Sequence, residues 1–138
     1  MKRVVIYMAL ALLLSPAAGA QGGQTQKINK KNLVIKEWRT DAGSRHSTLD
    51  NQTTYSPEGR KIEEVEYDST GKVKWRKRFE YGADGKVARD LIYDSNGRLT
   101  QIRKYEYNEF GRKKTRSNYD AKGRLLSVKA YEYLTEDE

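Results

Sequence analysis

The chain has 138 residues, with 27 Lys and Arg against 19 Asp and Glu for a formal charge of +8; 33% of it is charged and 36% apolar. Its length suits one domain. Cysteine is absent, which excludes a disulfide framework and leaves backbone pairing and packing to hold the fold.

Residues 1–20 read as a secretory signal peptide. Lys2 and Arg3 give a positive start, Val4 to Leu14 is apolar except for Tyr7, Ser15 and Pro16 break the run, and Ala18, Gly19 and Ala20 are small enough for a signal peptidase. A membrane span needs roughly 20 apolar residues, more than this run supplies. Cleavage after Ala20 is expected to leave 118 residues with a formal charge of +6, destined for the periplasm or the medium. No cysteine follows the small residues to carry a lipoprotein's lipid. Residues 21–31, rich in Gln and Lys, read as a flexible polar leader, and 32–138 as a β-hairpin repeat domain.

Within that domain Asn32 to Trp38 and His46 to Tyr55 read as a degenerate first strand pair, with Asp41 to Ser44 as their turn. Beyond it the chain is periodic. Tyrosines at 55, 67, 81, 93, 107, 119 and 133 are separated alternately by 12 and 14 residues. Glycines at 59, 71, 85, 97, 111 and 123 follow the first six of them by four positions, each with Lys or Arg next. The repeating unit is therefore 26 residues, a pair of segments. In YDSTGKV, YDSNGRL and YDAKGRL, Asp68, Asp94 and Asp120 suit the first position of a type I turn. The glycines suit the left-handed position that closes it. SPEG, GADG and NEFG keep the glycine and replace the aspartate.

Between turns the residues alternate as strands do. Val73, Trp75, Lys77, Phe79 and Tyr81 fall on one side of their segment, and Lys74, Arg76, Arg78 and Glu80 on the other. The even spacing returns each side chain to the same face after every turn, so one face is expected to be aromatic, mixed with Lys77, Arg89 and Arg103. The implied register sets Tyr67 opposite Val73, Glu66 opposite Lys74, Tyr93 opposite Leu99, Tyr119 opposite Leu125 and Glu106 opposite Lys114. The expected fold is all-β: an antiparallel meander of about six to eight strands in a single-layer or curled sheet, favoured over a closed barrel.

Tyr-Asp-x-x-Gly-Arg-Leu, with Tyr-x-Tyr just ahead of the next turn, resembles the YD repeats of Rhs-type bacterial secreted and surface proteins over Tyr55 to Tyr133. The resemblance implies a β-strand repeat outside the cytoplasm, in a family associated with wrapping cargo or binding carbohydrate. Large members use many repeats to enclose a cavity and end in a toxin domain. This chain has too few repeats to enclose anything large.

No residue pattern points to catalysis or to a cofactor. His46, the single histidine, lies in DAGSRHSTLD with Asp41, Ser44, Ser47 and Asp50, without a nucleophile elbow or a glycine-built oxyanion hole. The turn aspartates are spread one per turn, unlike a calcium loop, so no metal is expected. Binding is the sharper expectation. Lys74, Arg76, Arg78, Lys104, Lys114 and Arg116 are expected to project from one face, as candidates for an anionic envelope polysaccharide or lipid. Glu66, Glu80 and Glu106 partly neutralise them. Export argues against nucleic acid as the partner. On the other face Trp75, Phe79, Tyr105 and Tyr131 are candidates for stacking on neutral sugars, although the same rings are the only substantial core available. A self-associating structural or immunity-type protein, forming a homo-oligomer, is the third reading.

Overall fold

A computed structural model describes residues 27–135. The signal-peptide expectation for 1–20 lies outside the described residues, as does the leader up to residue 26. The described chain is a single antiparallel meander of eight strands: β1 (Val34–Arg39), β2 (Thr48–Tyr55), β3 (Lys61–Tyr67), β4 (Val73–Tyr81), β5 (Val87–Tyr93), β6 (Leu99–Tyr107), β7 (Lys113–Asp120) and β8 (Leu125–Ala130). Each strand pairs with its neighbours in chain order, so β1 and β8 are the two edges of a sheet that does not close into a barrel. None of the described residues forms a helix long and apolar enough to cross a membrane.

The turns form for the reasons their residues supply. In all six, the amide following the tyrosine meets a carbonyl four residues on: Ser56 with Arg60, Asp68 with Lys72, Gly82 with Lys86, Asp94 with Arg98, Asn108 with Arg112, and Asp120 with Arg124, at 2.8 to 2.9 Å. The closing glycines hold φ between 74° and 82°, where a side chain is strained. Asp68, Asp94 and Asp120 each accept two amide hydrogens through Oδ1 at 2.8 to 3.0 Å. Asn108 does the same in NEFG at 3.1 and 2.9 Å, and Ser56 Oγ in SPEG at 3.2 Å. The amides of Arg124 and Lys122 hold the Asp120 carboxyl below the usual carboxylate range, helped by the Arg124 guanidinium.

Tyr67, Tyr93 and Tyr119 stand opposite Val73, Leu99 and Leu125, as expected. One residue further from each turn the register shifts. Glu66 faces Trp75 and Glu106 faces Thr115, which leaves Lys74 and Lys114 as extra residues in their strands. Ile62, Ala88, Thr100 and Leu126 occupy the same place in the other four hairpins. An extra residue moves every later side chain of that strand to the other face. The even spacing therefore does not keep odd-numbered residues together. Arg89, expected among the aromatic residues, faces Glu80 and Lys104, and Asp90 takes the place opposite Phe79.

A single layer has little core. Leu33 and Val65 are the only buried apolar side chains among the described residues, Val65 at 2% exposure. Cross-strand staples supply part of what packing does not. Tyr81, Tyr107 and Tyr133 donate their hydroxyl hydrogens to the carbonyls of Lys61, Val87 and Lys113, each 20 positions earlier, at 2.7 to 2.8 Å. Over the same rings lie Arg60, Lys86 and Arg112 at 5.5, 5.2 and 5.4 Å, each the residue after a turn glycine, while Lys30 lies 5.5 Å over Tyr55. This end of the sheet is a stack of turns. The opposite end is open, with no neighbour within 4 Å of a Cβ built at Gly71, Gly97 or Gly123.

Candidate functional site

The expected row of cations is divided by the register shifts. Arg76, Arg78 and Lys104 do share a face, because Arg76 stands opposite Val65, Arg78 opposite Leu91 and Lys104 opposite Arg89, and Leu91 continues to Ile102. Lys74 and Lys114 are the extra residues of their hairpins, and both are exposed. Arg116 lies on the aromatic face, opposite Tyr105 and Lys129. The extra residue at Lys114 is the reason: it reverses the alternation between Lys113 and Arg116.

Most of these cations have company. The guanidinium Nε of Arg78 and of Arg76 lie 3.4 and 3.8 Å from Glu63 Oε2, and Lys74 Nζ lies 3.0 Å from Glu66. Arg89 pairs with Glu80, and Lys104 Nζ sits 4.9 Å over the Tyr119 ring. Surface pairs like these hold little energy, but they lower the net field that a polyanion would meet.

The aromatic candidates stay together on the other face, and each ring carries a cation. Lys77 Nζ lies 5.3 Å over Trp75 and 5.6 Å over Phe79, with Lys61 a further 5.9 Å from Phe79. Lys113 lies 4.7 Å over Tyr105, and Lys129 5.6 Å over Tyr131. Lys61 and Lys77 are themselves held by Glu64 at 2.6 and 3.5 Å. Burial works to raise the Glu64 carboxyl, but the two ammonium groups outweigh it and hold it below its ordinary value. A sugar ring stacking on any of the four would first displace a lysine.

The centre of this face is polar, with Asp90 and Asn118 buried in it. Phe79, Asp90, Arg103, Asn118 and Ser127 stand opposite one another across five strands, with Tyr105, Arg116 and Lys129 in a second row beside them. Asp90 is 3% exposed and Asn118 6%. Tyr105 donates its hydroxyl hydrogen to Asp90 Oδ2 at 2.6 Å. Burial, and then that bond, push the Tyr105 phenol well above its ordinary range. Asn118 Nδ2 donates to Ser127 Oγ at 2.8 Å, and Arg103 Nη2 to Gln101 Oε1 at 3.3 Å. Among the described residues, Asp90 Oδ1, Asn118 Oδ1, Arg103 Nε and Arg116 Nε are buried with no hydrogen-bond partner. Two acceptors and two donors thus lie side by side, ringed by Phe79, Tyr105, Lys113 and Lys129.

Asp90 and Asn118 did not stand out in the sequence, because strict alternation assigned them to the opposite side. Asp41, Ser44, His46 and Asp50 line one open hollow beside Glu66, Asp68 and Lys74. Ser44 Oγ meets the main chain of His46, donating to its carbonyl and accepting from its amide at 3.1 Å.

No protein-family model and no curated protein matches the chain. Among solved structures, a chain in the crystal structure of a GtfA/B complex bound to UDP and GlcNAc is similar at 16% identity, with a TM-score of 0.31. The similarity spans 70% of this chain and 20% of that one. At that score it carries no conclusion about fold or activity.

Proposed function

We propose that this chain is a non-enzymatic interaction module that works outside the cytoplasm and binds an acidic, hydroxylated glycan across the centre of its aromatic face. The observation that carries the reading is the group of cations gathered beside Phe79 and Tyr105 on that face: Arg103 and Arg116, each only partly buried, with the exposed Lys113 and Lys129. A uronate carboxylate answers the guanidinium groups, whose charge-assisted bonds are about twice as strong as neutral ones. Arg103, Arg116, Lys113 and Lys129 outnumber the single Asp90 carboxylate, which favours an acidic sugar over a neutral one. Placement outside the cytoplasm rests on the signal-like pattern of residues 1–20 and on the YD-like repeat.

Binding to oligogalacturonate, with dextran as the neutral comparison, tests this. Arg116→Gln is expected to weaken oligogalacturonate binding roughly ten- to hundredfold, the loss of one charged hydrogen bond, and raised salt to weaken it further. Arg76→Gln on the opposite face is expected to leave it unchanged. Equal binding of dextran, or a dependence on Arg76 and not on Arg116, would contradict the proposal.

A further inference from the structure

The two edges of the sheet are complementary to each other, and the internal repeat shows in what register. β2, β4 and β6 each present their outer edge to β3, β5 and β7, with Tyr55 opposite Lys61, Tyr81 opposite Val87 and Tyr107 opposite Lys113. β8 leads to Tyr133, the next tyrosine of that series, and among the described residues no strand lies beyond it. β1 is of the other kind. Its register shifts between Glu37 and Trp38 as that of β3 shifts between Glu66 and Tyr67, and among the described residues no strand precedes it in the sheet. The edge that β8 leaves free is therefore the edge that a strand like β1 covers elsewhere in the same sheet.

We propose that β8 of one copy pairs with β1 of a second copy, head to tail, continuing the sheet. Carrying over the register of the internal pairs sets Lys129 opposite Glu37 of the second copy, Tyr131 opposite its Ile35, Val128 opposite its Trp38 and Ala130 opposite its Lys36. Lys129 and Glu37 bring opposite charges together, and Tyr131 with Ile35 and Val128 with Trp38 bring apolar side chains together.

The backbone agrees. The Tyr131 amide points inward to the Lys114 carbonyl at 3.0 Å, so by alternation Ala130 and Val128 direct their amides and carbonyls outward. The Tyr55 amide points to the Leu33 carbonyl at 2.9 Å, so Leu33, Ile35 and Glu37 face inward, and Val34 and Lys36 face out. Every outward group on one edge thus meets an outward group on the other. The faces agree as well. Lys129 lies opposite Arg116 on the aromatic face, and Glu37 joins Asn51, Glu66 and Trp75 on that same face.

Several exposed apolar side chains lie at the two edges that this joint would bring together. Val34, Ile35 and Trp38 on β1 and Val128 on β8 are exposed and lie within the paired stretch, whereas Leu125 and Leu126 lie just beyond the end of β1. Long apolar edges of this kind are what isolated sheets avoid. Because the two patches differ, the contact does not close on itself. It extends to an open, twisted ribbon.

Sedimentation velocity of the purified protein over a wide concentration range tests the proposal. The unmodified chain is expected to form a ladder of species larger than a dimer. Val128→Pro and Lys36→Pro each remove one outward amide, at an edge position where proline is tolerated. Each variant alone is expected to stay monomeric, and an equimolar mixture to form a heterodimer through the one intact edge on each. Lys129→Glu and Glu37→Lys are expected to weaken assembly singly and to restore it when combined in one chain, a readout that does not depend on proline. A chain that is monomeric throughout, or a discrete dimer that survives Lys36→Pro, would overturn the head-to-tail joint.

Discussion

Replacing Tyr105 with phenylalanine lowers the unfolding free energy by about 2 to 3 kcal/mol, because it strands a buried carboxylate. Asp90 is 3% exposed, and the Tyr105 hydroxyl at 2.6 Å is its hydrogen-bond partner among the described side chains. Burying an ionised group without a partner costs more than losing an exposed bond. The comparison is Tyr107→Phe, which removes a 2.8 Å bond to the Val87 carbonyl from a half-buried ring at the sheet's end. That change costs about 1 kcal/mol. Urea unfolding of the two variants reads the difference directly. Asp90→Asn placed on top of Tyr105→Phe recovers part of the loss, since the charge is gone. If Tyr105→Phe costs no more than Tyr107→Phe, the central polar cluster is not the buried unit described above.

Valine at Gly111 destabilises by about 2 to 3 kcal/mol, and valine at Gly97 by about 1 to 2 kcal/mol. Both glycines sit at positive φ, 74° and 77°, where a β-branched side chain is strained to a similar degree. What differs is the neighbourhood. A Cβ at Gly111 would stand 2.6 Å from Lys86 Nζ, whereas nothing lies within 4 Å of one at Gly97. Lys86 would have to leave the Tyr107 ring, over which it sits at 5.2 Å, and a cation over an aromatic ring contributes about 0.5 to 1 kcal/mol. The gap between the two variants, read from denaturant midpoints at constant slope, measures the stacked end of the sheet against the open end. Equal losses at the two sites would mean that the stacking contributes nothing.

The elements were legible in the sequence because tyrosine and glycine mark every reversal. The six turns fall where the glycines put them, and the strands between them match the alternating stretches. The first pair was legible as well, although β1 runs Val34–Arg39 where Asn32 to Trp38 was expected. The extra residue beside each turn was not. Ile62, Lys74, Ala88, Thr100, Lys114 and Leu126 share no side-chain chemistry, so nothing in the letters marks their common role. That omission put Arg116 with the wrong neighbours and hid Asp90 and Asn118. The lysines and arginines after the turn glycines were legible as a pattern but not as a function. Their cover over Tyr81, Tyr107 and Tyr133 depends on a partner 21 positions away, reached across the sheet.

The face on which each side chain lies underlies the polar cluster, the proposed glycan site and the matched edges alike. Cross-strand NOEs between β6 and β7 decide it most directly. The structure predicts that backbone protons of Tyr105 lie against Arg116, and those of Arg103 against Asn118, with Tyr107 against Lys113 nearer the turn. Contacts from Tyr105 to Thr115 in their place would mean a hairpin without its extra residue, and would return Arg116 to the opposite face.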